Sequence, residues 1–401
     1  MSDNAAVFPY QSPPAWEQRK LGELFEESDE RASDREILSV SVANGIYPAS
    51  ESDRETNPGA SLANYKVVHS GDVVYNSMRM WQGAVDASRY DGIVSPAYVV
   101  AKPNSEVYAR FFARLLRQPM LLKQYQQVSQ GNSKDTQVLK FDDFASIEIS
   151  MPASENEQRQ IGAFFDRLDS LITLHQRKYD KLCVLKKSML DKMFPKGGSL
   201  YPEIRFAGFT DPWEQRKLED YVVVSTAKNV DGRFNKEDVL SVSGEYGIVN
   251  QIAFQGRSFA GSSVLNYGIV NTGDIVYTKS PLNSNPYGII KVNKGIPGIV
   301  STLYAVYRPQ DNVHTNFIQV YFEQHERMNN YMHPLVNKGA KNDMKVTAEN
   351  ALKGVVTFPS REEQVIISEF FDRLDSLITL HQRKLELLRN IKKSMLDKMF
   401  V

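Results

Sequence analysis

Two pairs of loops carry the residue types that could do chemistry in this chain. Arg and Lys side chains suit guanine edges and phosphates, Asn and Gln suit adenine, and Ser suits either a base edge or a phosphate. The candidate DNA-contacting residues are Asn76, Arg79, Trp81, Gln82, Gln130, Asn132, Ser133 and Lys134 in the first half, and Lys279, Ser280, Asn283, Asn285, Lys338, Lys341 and Asn342 in the second. Their clustering predicts contact with nucleic acid.

The same residue types are common in solvated loops, and for any one residue that interpretation is at least as good. The chain carries 48 Lys and Arg against 48 Asp and Glu, so its formal net charge is zero. A nucleic-acid face must therefore be a local concentration of basic groups. The recurrence of the same loops at matching places in both halves favours the functional interpretation.

Enzyme signatures are missing from the sequence. It contains no G-x-x-x-x-G-K-[ST] loop, no G-x-G-x-x-G, no H-E-x-x-H and no G-x-S-x-G. His69, His314, His325 and His333 have no partners at ligand spacing. The single cysteine, Cys183, excludes an internal disulfide and a multi-cysteine zinc site. We therefore predict no catalytic residue and no metal site in this chain.

One stretch that occurs twice must position these loops. Residues 154–194 and 360–400 carry nearly the same sequence displaced by 206 positions, and FFDRLDSLITLHQRK is identical in both copies. Apolar residues recur at alternating steps of three and four, with charged residues between them. This spacing predicts a coiled-coil helix, and about 34 residues at ~1.5 Å each give a rod of roughly 50 Å. Two such helices in one chain most simply pack against each other.

The apolar stripe of each helix is wider than a coiled-coil seam. The predicted seam positions of the first copy are Ile161, Phe164, Leu168, Leu171, His175, Leu182, Leu185 and Met189, and each has its counterpart 206 positions later. Phe165 and Ile172 lie beside this seam, as do Phe371 and Ile378 in the second copy. Something besides one partner helix must pack there. We take these four residues as candidates for contact with partner proteins.

A globular domain precedes each helix. Both domains open on W-E-Q-R-K-L, at 16–21 and at 213–218, but between a few shared anchors the two halves scarcely agree. Strands are predicted at 37–42, 72–76, 93–100, 239–243, 274–278 and 299–307, and helices at 106–128 and 315–332. The fold class is therefore α/β (mixed α+β). The predicted segments are a leader (1–15), a first domain (16–153), a first helix (154–195), a linker (196–212), a second domain (213–359) and a second helix (360–401).

The chain shows no targeting or membrane signal. No apolar run approaches the ~20 residues of a membrane span, and the first 30 residues lack a signal-peptide pattern. We expect a cytoplasmic protein with no membrane partner.

The tandem of variable domain and repeated helix resembles the DNA-specificity subunit of type I restriction–modification systems. The two openers and the two helices carry the resemblance, which covers nearly the whole chain. The lead-in Pro202-Glu203-Ile204-Arg205-Phe206 before Trp213 is also typical of that family, although the first half has Val7-Phe8-Pro9-Tyr10 there. The resemblance implies two target-recognition domains separated by two antiparallel helices that form a coiled coil with pseudo-two-fold symmetry.

The resemblance also implies a function and partners. Each domain would read one half of a bipartite, asymmetric target in double-stranded DNA. The helices would dock two methylation subunits and, with them, two restriction subunits. This chain would hold no cofactor of its own, since S-adenosylmethionine would belong to the methylation subunits and ATP with Mg²⁺ to the restriction subunits.

Two other classes of protein stay open at this stage. The first is a non-catalytic coiled-coil scaffold whose globular ends bind protein or glycan, and which would give no sequence-dependent shift of DNA mobility. The second is a self-sufficient methyltransferase or nuclease, which the missing motifs disfavour.

Helix length should set the gap between the two half-sites, because a helix of ~1.5 Å rise per residue can measure distance along DNA of ~3.4 Å per base pair. Inserting one heptad into both helices should lengthen the gap in a methylation-site map. An unchanged gap would contradict this hypothesis.

Overall fold

The computed structural model describes residues 16–52, 61–131, 137–279, 285–338 and 344–400. The predicted leader, 1–15, lies outside the described residues. The chain divides into two compact units, the first combining Met1–His175 with Lys384–Val401 and the second formed by Gln176–Arg383. Each unit thus holds one globular domain, part of the long helix that follows it and part of the other long helix.

The first unit is built on a four-stranded antiparallel sheet. The strands of the whole unit are β1 (Glu17–Lys20), β2 (Phe25–Glu27), β3 (Leu38–Ser41), β4 (Gly45–Pro48), β5 (Lys66–Val68), β6 (Val73–Asn76), β7 (Val85–Ala87), β8 (Gly92–Val94), β9 (Tyr98–Pro103) and β10 (Glu148–Met151). Its helices are α1 (Leu21–Leu24), α2 (Ala109–Leu115), α3 (Pro119–Val128), α4 (Phe141–Ala145) and the first part of α5 (Glu155–Lys192). The sheet order is β2-β9-β6-β7, and the pairs β3-β4, β5-β8 and β1-β10 flank it.

Side-chain alternation along β6 divides the core of this domain into two layers. Val73 and Tyr75 point into the larger cluster with the helices, while Val74 joins a smaller cluster with Leu38 and Val40 on the opposite face. Successive side chains of a strand point to opposite faces, so a strand buried on both sides reads as a continuous apolar run.

The second unit repeats this topology. Its strands are β11 (Glu214–Lys217), β12 (Val222–Val224), β13 (Leu240–Ser243), β14 (Gly247–Asn250), β15 (Gly268–Val270), β16 (Ile275–Tyr277), β17 (Ile290–Val292), β18 (Gly298–Val300), β19 (Ala305–Pro309), β20 (Asn337–Lys338), β21 (Met344–Lys345) and β22 (Val355–Phe358). Its helices are α6 (Gln251–Gln255), α7 (Thr315–Glu323), α8 (His325–Met332) and the first part of α9 (Arg361–Met399). The central order β12-β19-β16-β17 matches that of the first unit strand for strand.

A Gly-Asp turn leads into β6 of the first central sheet, and another leads into β16 of the second. Gly71 and Gly273 adopt φ of 102° and 89°, in the region that Gly enters without steric penalty. Asp72 accepts a hydrogen bond from the His69 amide at 2.8 Å, and Asp274 accepts the equivalent bond at 2.7 Å.

Four predicted elements, two in each domain, are divided in the structure. The strand predicted over 93–100 is two strands, β8 and β9, and the strand predicted over 299–307 is likewise two strands, β18 and β19; in both domains the two strands belong to different sheets and are separated by a turn. The helix predicted over 106–128 is α2 followed by α3, because Pro119 opens α3 and the preceding Gln118 is extended; a residue before proline is disfavoured in the helical region. In the second domain the interruption falls at Gln324, which is also extended.

Helix α5 is 38 residues long and α9 is 39, and segments of the two pack antiparallel within each unit. In the first unit Phe165 of α5 meets Phe400, just after α9, at a ring distance of 5.9 Å. In the second unit Phe194, just after α5, meets Phe371 of α9 at 6.2 Å. The predicted packing of the two repeated helices is confirmed.

Equivalent carboxylates tie each domain to its helix. In the first unit Asp166 accepts hydrogen bonds from Arg110 at 2.6 Å and from Arg114 at 3.0 Å. Partial burial alone would raise the pKa of Asp166, but these two guanidinium groups outweigh it and hold the pKa below its ordinary value. In the second unit the counterpart Asp372 accepts from Asn316 at 2.9 Å and pairs with Lys294 at 2.6 Å.

A buried glutamine in the first turns of each helix completes the attachment. The Gln158 side-chain oxygen accepts from the Tyr108 amide at 2.9 Å, and its nitrogen donates to the Glu106 and Pro152 carbonyls. The Gln364 side-chain oxygen accepts from the His314 amide at 2.9 Å, and its nitrogen donates to the Pro359 carbonyl. Both side chains are buried, so their loss would leave backbone groups unsatisfied.

Gln158→Met should lower the free energy of unfolding by about 3 kcal/mol, because methionine fills a similar volume but leaves two or three buried backbone groups unpaired. Urea denaturation of the purified chain measures the change. Gln160→Met, at an exposed position of the same helix, is the matched control and should be nearly neutral. Equal effects of the two substitutions would contradict the assignment.

Candidate nucleic-acid interface

The first candidate loop begins at the last residue of β6. Asn76 accepts a hydrogen bond from the Met78 amide at 3.0 Å, and the Trp81 indole donates to the Met78 carbonyl at 3.2 Å. These two side chains shape the loop, and the buried Met80 anchors it. Arg79 is exposed, and among the described residues its guanidinium makes no hydrogen bond or ion pair. Arg79 is therefore a predicted contact whose charge is available to a ligand.

The second candidate loop of the first domain lies beside the first. The Leu139 amide donates to the Ser77 carbonyl at 2.8 Å, which joins the two segments at the backbone. Gln130 pairs with Val138 across the loop and donates from its side chain to Asp143 at 3.0 Å. The predicted contacts at Asn132, Ser133 and Lys134 lie outside the described residues, whereas Gln82 is exposed on the first loop.

In the second domain the equivalent loop begins with a constrained lysine. Lys279 has φ of 40°, and it is the one non-glycine residue with positive φ in the part of the chain that the structure describes. Its ammonium donates to the Thr302 carbonyl at 3.2 Å, and partial burial lowers its pKa. Conformations of this kind are held by their surroundings and concentrate at functional sites. The predicted contacts at Ser280 and Asn283 lie outside the described residues.

The remaining predicted contacts of the second domain fall in two neighbouring segments. The Asn285 carbonyl accepts from the Gly288 amide at 3.0 Å, and the intervening Tyr287 ring lies 6.2 Å from the His333 ring. This contact brings the first loop next to the segment that leads into Lys338, in β20, which pairs with β21. The predicted contacts at Lys341 and Asn342 lie between these strands, outside the described residues.

A third segment, which the sequence reasoning missed, completes the cluster in both domains. It is the turn from Ser95 to Tyr98, in which the Ala97 carbonyl accepts from the Ser77 hydroxyl at 2.7 Å. The second domain has the corresponding turn at 301–304, to which Lys279 donates. The sequence signal for this turn is the G-I-V-S that both domains share, which is followed three residues later by Tyr.

Three loops of each domain therefore gather at one end of its central sheet. This end is where β6 finishes and β9 begins, since Asn76 pairs with Tyr98 in the antiparallel register. In the first domain this end carries the exposed guanidinium of Arg79 and the exposed side chains of Gln82 and Gln130. Such groups can hydrogen-bond to phosphates and base edges.

The structure gives the predicted partner-contact residues two different environments. Phe165 and Phe371 are fully buried, at 0% exposure, in the cores of their units, so they are not surface residues. Ile172 and Ile378 are partly buried. The domain packs against the helix on the side of Phe165, which turns the neighbouring apolar positions outward.

The residues turned outward form a second stripe with steps of three and four, which we call the outward stripe. In the first unit it comprises Gln160, Phe164, Arg167, Leu171 and Leu174, and in the second Ile366, Phe370, Arg373, Leu377 and Leu380. Leu174 and Leu380 are 47% and 45% exposed. Both copies carry the same residues at these positions except at the first, although Phe370 is partly buried where Phe164 is exposed.

Two further features concern ligands and membranes. No group of three or more His, Cys, Asp or Glu side chains within the described residues could hold a metal ion. None of the described helices is long and apolar enough to cross a membrane.

Comparison with known proteins identifies the class. The family model described as "Type I restriction modification DNA specificity domain" matches residues 13–183 and again residues 210–390. Two like mixed α/β domains, each followed by the same long helix, therefore form a tandem of two specificity domains. The chain belongs to the family of type I restriction–modification DNA specificity domains.

A solved structure shares this architecture. The S subunit of a type I restriction–modification system from M. genitalium is similar over 98% of this chain and 98% of its own, with a TM-score of 0.59 and 12% identity. The HsdS subunit from Thermoanaerobacter tengcongensis matches 98% of both chains with a TM-score of 0.42 and 18% identity. At 12% identity the first similarity shows the fold alone, and the second has too low a TM-score to add to it.

Arg79→Ala should weaken binding to the cognate duplex by roughly tenfold at fixed salt, because it removes the available cation of the first loop. Electrophoretic mobility shift measures the affinity. The matched control is Lys102→Ala, since Lys102 is an exposed cation near the other end of β9. Unchanged affinity would leave Arg79 as a loop residue without a role in binding.

Proposed function

We propose that this chain is the DNA-specificity subunit of a type I restriction–modification complex and reads a bipartite, asymmetric target with one half-site per globular domain. The proposal rests on one observation, a difference between the two globular domains that share the repeated architecture. The two domains share one strand topology but carry different residues in the loops at the same end of the sheet. Two unlike loop clusters would read two unlike half-sites.

The described contacts support this division of roles. In the first domain a serine, Ser77, ties the first loop to the turn at 95–98, and in the second domain a lysine, Lys279, makes the equivalent tie. The contact between the first loop and this turn is therefore kept in both domains, while the side chain that makes it differs. Base contacts require such variation, since each base pair presents its own pattern of donors and acceptors in the major groove.

The outward stripes are the proposed docking surfaces for two methylation subunits. Each stripe is apolar with an arginine at its centre, Arg167 or Arg373, and it would fit a partner surface that is apolar with a carboxylate opposite the arginine. Because the exposed residues are nearly identical in both copies, the two stripes suit two copies of one partner. Two restriction subunits would join through the methylation subunits.

In this proposal the chain has no catalytic site of its own. S-adenosylmethionine would be bound by the methylation subunits, and ATP with Mg²⁺ by the restriction subunits. Because its target is chromosomal or invading DNA, the complex would work in the cytoplasm. Helix length would fix the separation of the half-sites.

Methylome sequencing of a host that carries the intact system tests this function. We expect one methylated motif made of two different half-sites with a constant gap. A parallel mobility-shift assay distinguishes the alternative, a coiled-coil scaffold that binds protein or glycan, because such a scaffold would show no sequence-dependent shift with or without the methylation subunit. Methyl transfer by the purified chain alone would contradict its non-catalytic role.

Native mass spectrometry should find two methylation subunits on each chain. Leu171→Glu with Leu174→Glu should leave one, because burying two carboxylates in an apolar contact is unfavourable. Ala163→Glu is the matched control, since Glu369 already occupies the equivalent exposed position of the second copy. One subunit on the unaltered chain would contradict the two-site proposal.

A further inference from the structure

A β-hairpin in each domain ends beside the three loops of the candidate interface. In the first domain it is formed by β3 and β4, and in the second by β13 and β14. The residue before β3 pairs in parallel with the middle of β8, and the residue before β13 pairs in parallel with the middle of β18. Because paired parallel strands run in one direction, each hairpin turn lies at the end of the domain where β8 or β18 leads into the turn at 95–98 or 301–304.

Side chains join each hairpin to that turn. In the first domain the Ser39 hydroxyl lies 3.5 Å from the Tyr98 hydroxyl. In the second domain Val242 and Tyr304 pack against the same small buried cluster. The hairpin turn is therefore a fourth segment at the end of the sheet where the three loops gather.

The two hairpin turns keep the same hydrogen bond and differ in the residues at the tip. The Ser41 hydroxyl accepts from the Asn44 amide at 3.0 Å, and the Ser243 hydroxyl accepts from the Tyr246 amide at 3.1 Å. The glycine that opens β4 or β14 then closes the turn with φ of 67° or 74°, a conformation that Gly enters without steric penalty. Between serine and glycine the first domain has V-A-N and the second has G-E-Y.

The turn of the second domain presents aromatic rings to solvent. Tyr246 is 57% exposed and Phe254 of α6 is 46% exposed, and their rings lie 5.3 Å apart. Just after α6 the Arg257 guanidinium lies 4.5 Å from the centre of the exposed Phe259 ring. Exposed aromatic rings that cluster in this way mark a binding surface, and its position beside the three loops favours DNA over a protein partner.

One side of this hairpin is attached to the long helix of its own unit. The Gln382 side chain in α9 donates to Glu245 at 3.2 Å. This contact holds the turn in place and leaves the neighbouring Tyr246 exposed. A contact residue on a fixed turn loses less conformational entropy on binding than one on a free loop.

We propose that the hairpin turn is a fourth DNA-contacting segment in each domain, with Asn44 in the first domain and Tyr246 in the second as the residues that reach base edges. The inference rests on the proposed function and extends it to a segment outside the candidate loops. An asparagine side chain suits adenine, and an aromatic ring suits the methyl group of thymine. The two turns therefore contribute different base preferences to the two half-sites.

A thermodynamic cycle between Tyr246 and the bases of the target tests this inference. The probe is the duplex whose motif methylome sequencing defines, bound in a mobility-shift assay by the full chain with its methylation subunits. Changing a contacted base pair of the second half-site should weaken binding by roughly tenfold for the unaltered chain. The same change should have little effect on Tyr246→Ala, because the side chain that senses the base is gone. Changes in the first half-site should keep their full effect.

Two further variants make the comparison specific. Tyr201→Ala is the matched control, because Tyr201 lies in the linker, outside both domains, with a similar exposure of 53%. It should leave the effect of every base-pair change as it is in the unaltered chain. Asn44→Ala should reduce the effect of a base-pair change in the first half-site only.

The possible failures are distinguishable. If the unaltered complex binds the defined duplex no better than a scrambled duplex, the proposed function itself fails. If the unaltered complex discriminates but Tyr246→Ala keeps every base-pair effect, or weakens all duplexes equally, the hairpin turn does not read bases and the inference is overturned. Loss of a methylation subunit from Tyr246→Ala in native mass spectrometry would overturn it as well, by assigning the aromatic surface to a protein partner.

Discussion

Each long helix must attach the domain that precedes it while it keeps a nearly constant sequence, and the rest of the structure depends on this attachment. The helices meet the requirement with the same residues in both units, Gln158 with Asp166 and Gln364 with Asp372. The glutamines bond to backbone groups, which any domain sequence supplies. The carboxylates accept whatever donors the domain offers, two arginines in one unit and Asn316 with Lys294 in the other.

This form of attachment explains how unlike domains fit on like helices. A backbone amide can be bonded without regard to the side chain that it carries, so the domain sequence is free to change. Within the domain the constraint is the arrangement of the strands. The central strands of the two domains have similar continuous apolar runs, Val73-Val74-Tyr75 and Ile275-Val276-Tyr277. The loops at one end of the sheet also differ between the two domains. Loops positioned by a rigid scaffold are where binding residues usually lie.

The repeated helices, their packing and the Gly-Asp turns could be predicted because each has a local signature in residue spacing. The helix face that meets the domain could not be predicted from residue spacing. Phe164 and Phe165 both continue an apolar pattern with steps of three and four, and only tertiary packing, against the attached domain and Phe400, decides that Phe165 is buried and Phe164 exposed. The Lys279 contact with Thr302 is similarly invisible in the sequence, because it depends on a turn that interrupts what reads as one continuous strand.

Under the proposed function each domain reads its own half-site while the helices are interchangeable. This division of roles can be measured with a chain in which residues 213–359 are replaced by a second copy of residues 16–153, expressed with its methylation and restriction partners. Methylome sequencing should then find a palindromic target, with the half-site of the first domain repeated on both sides of the gap. A methylated motif that keeps the original asymmetric halves would contradict the account.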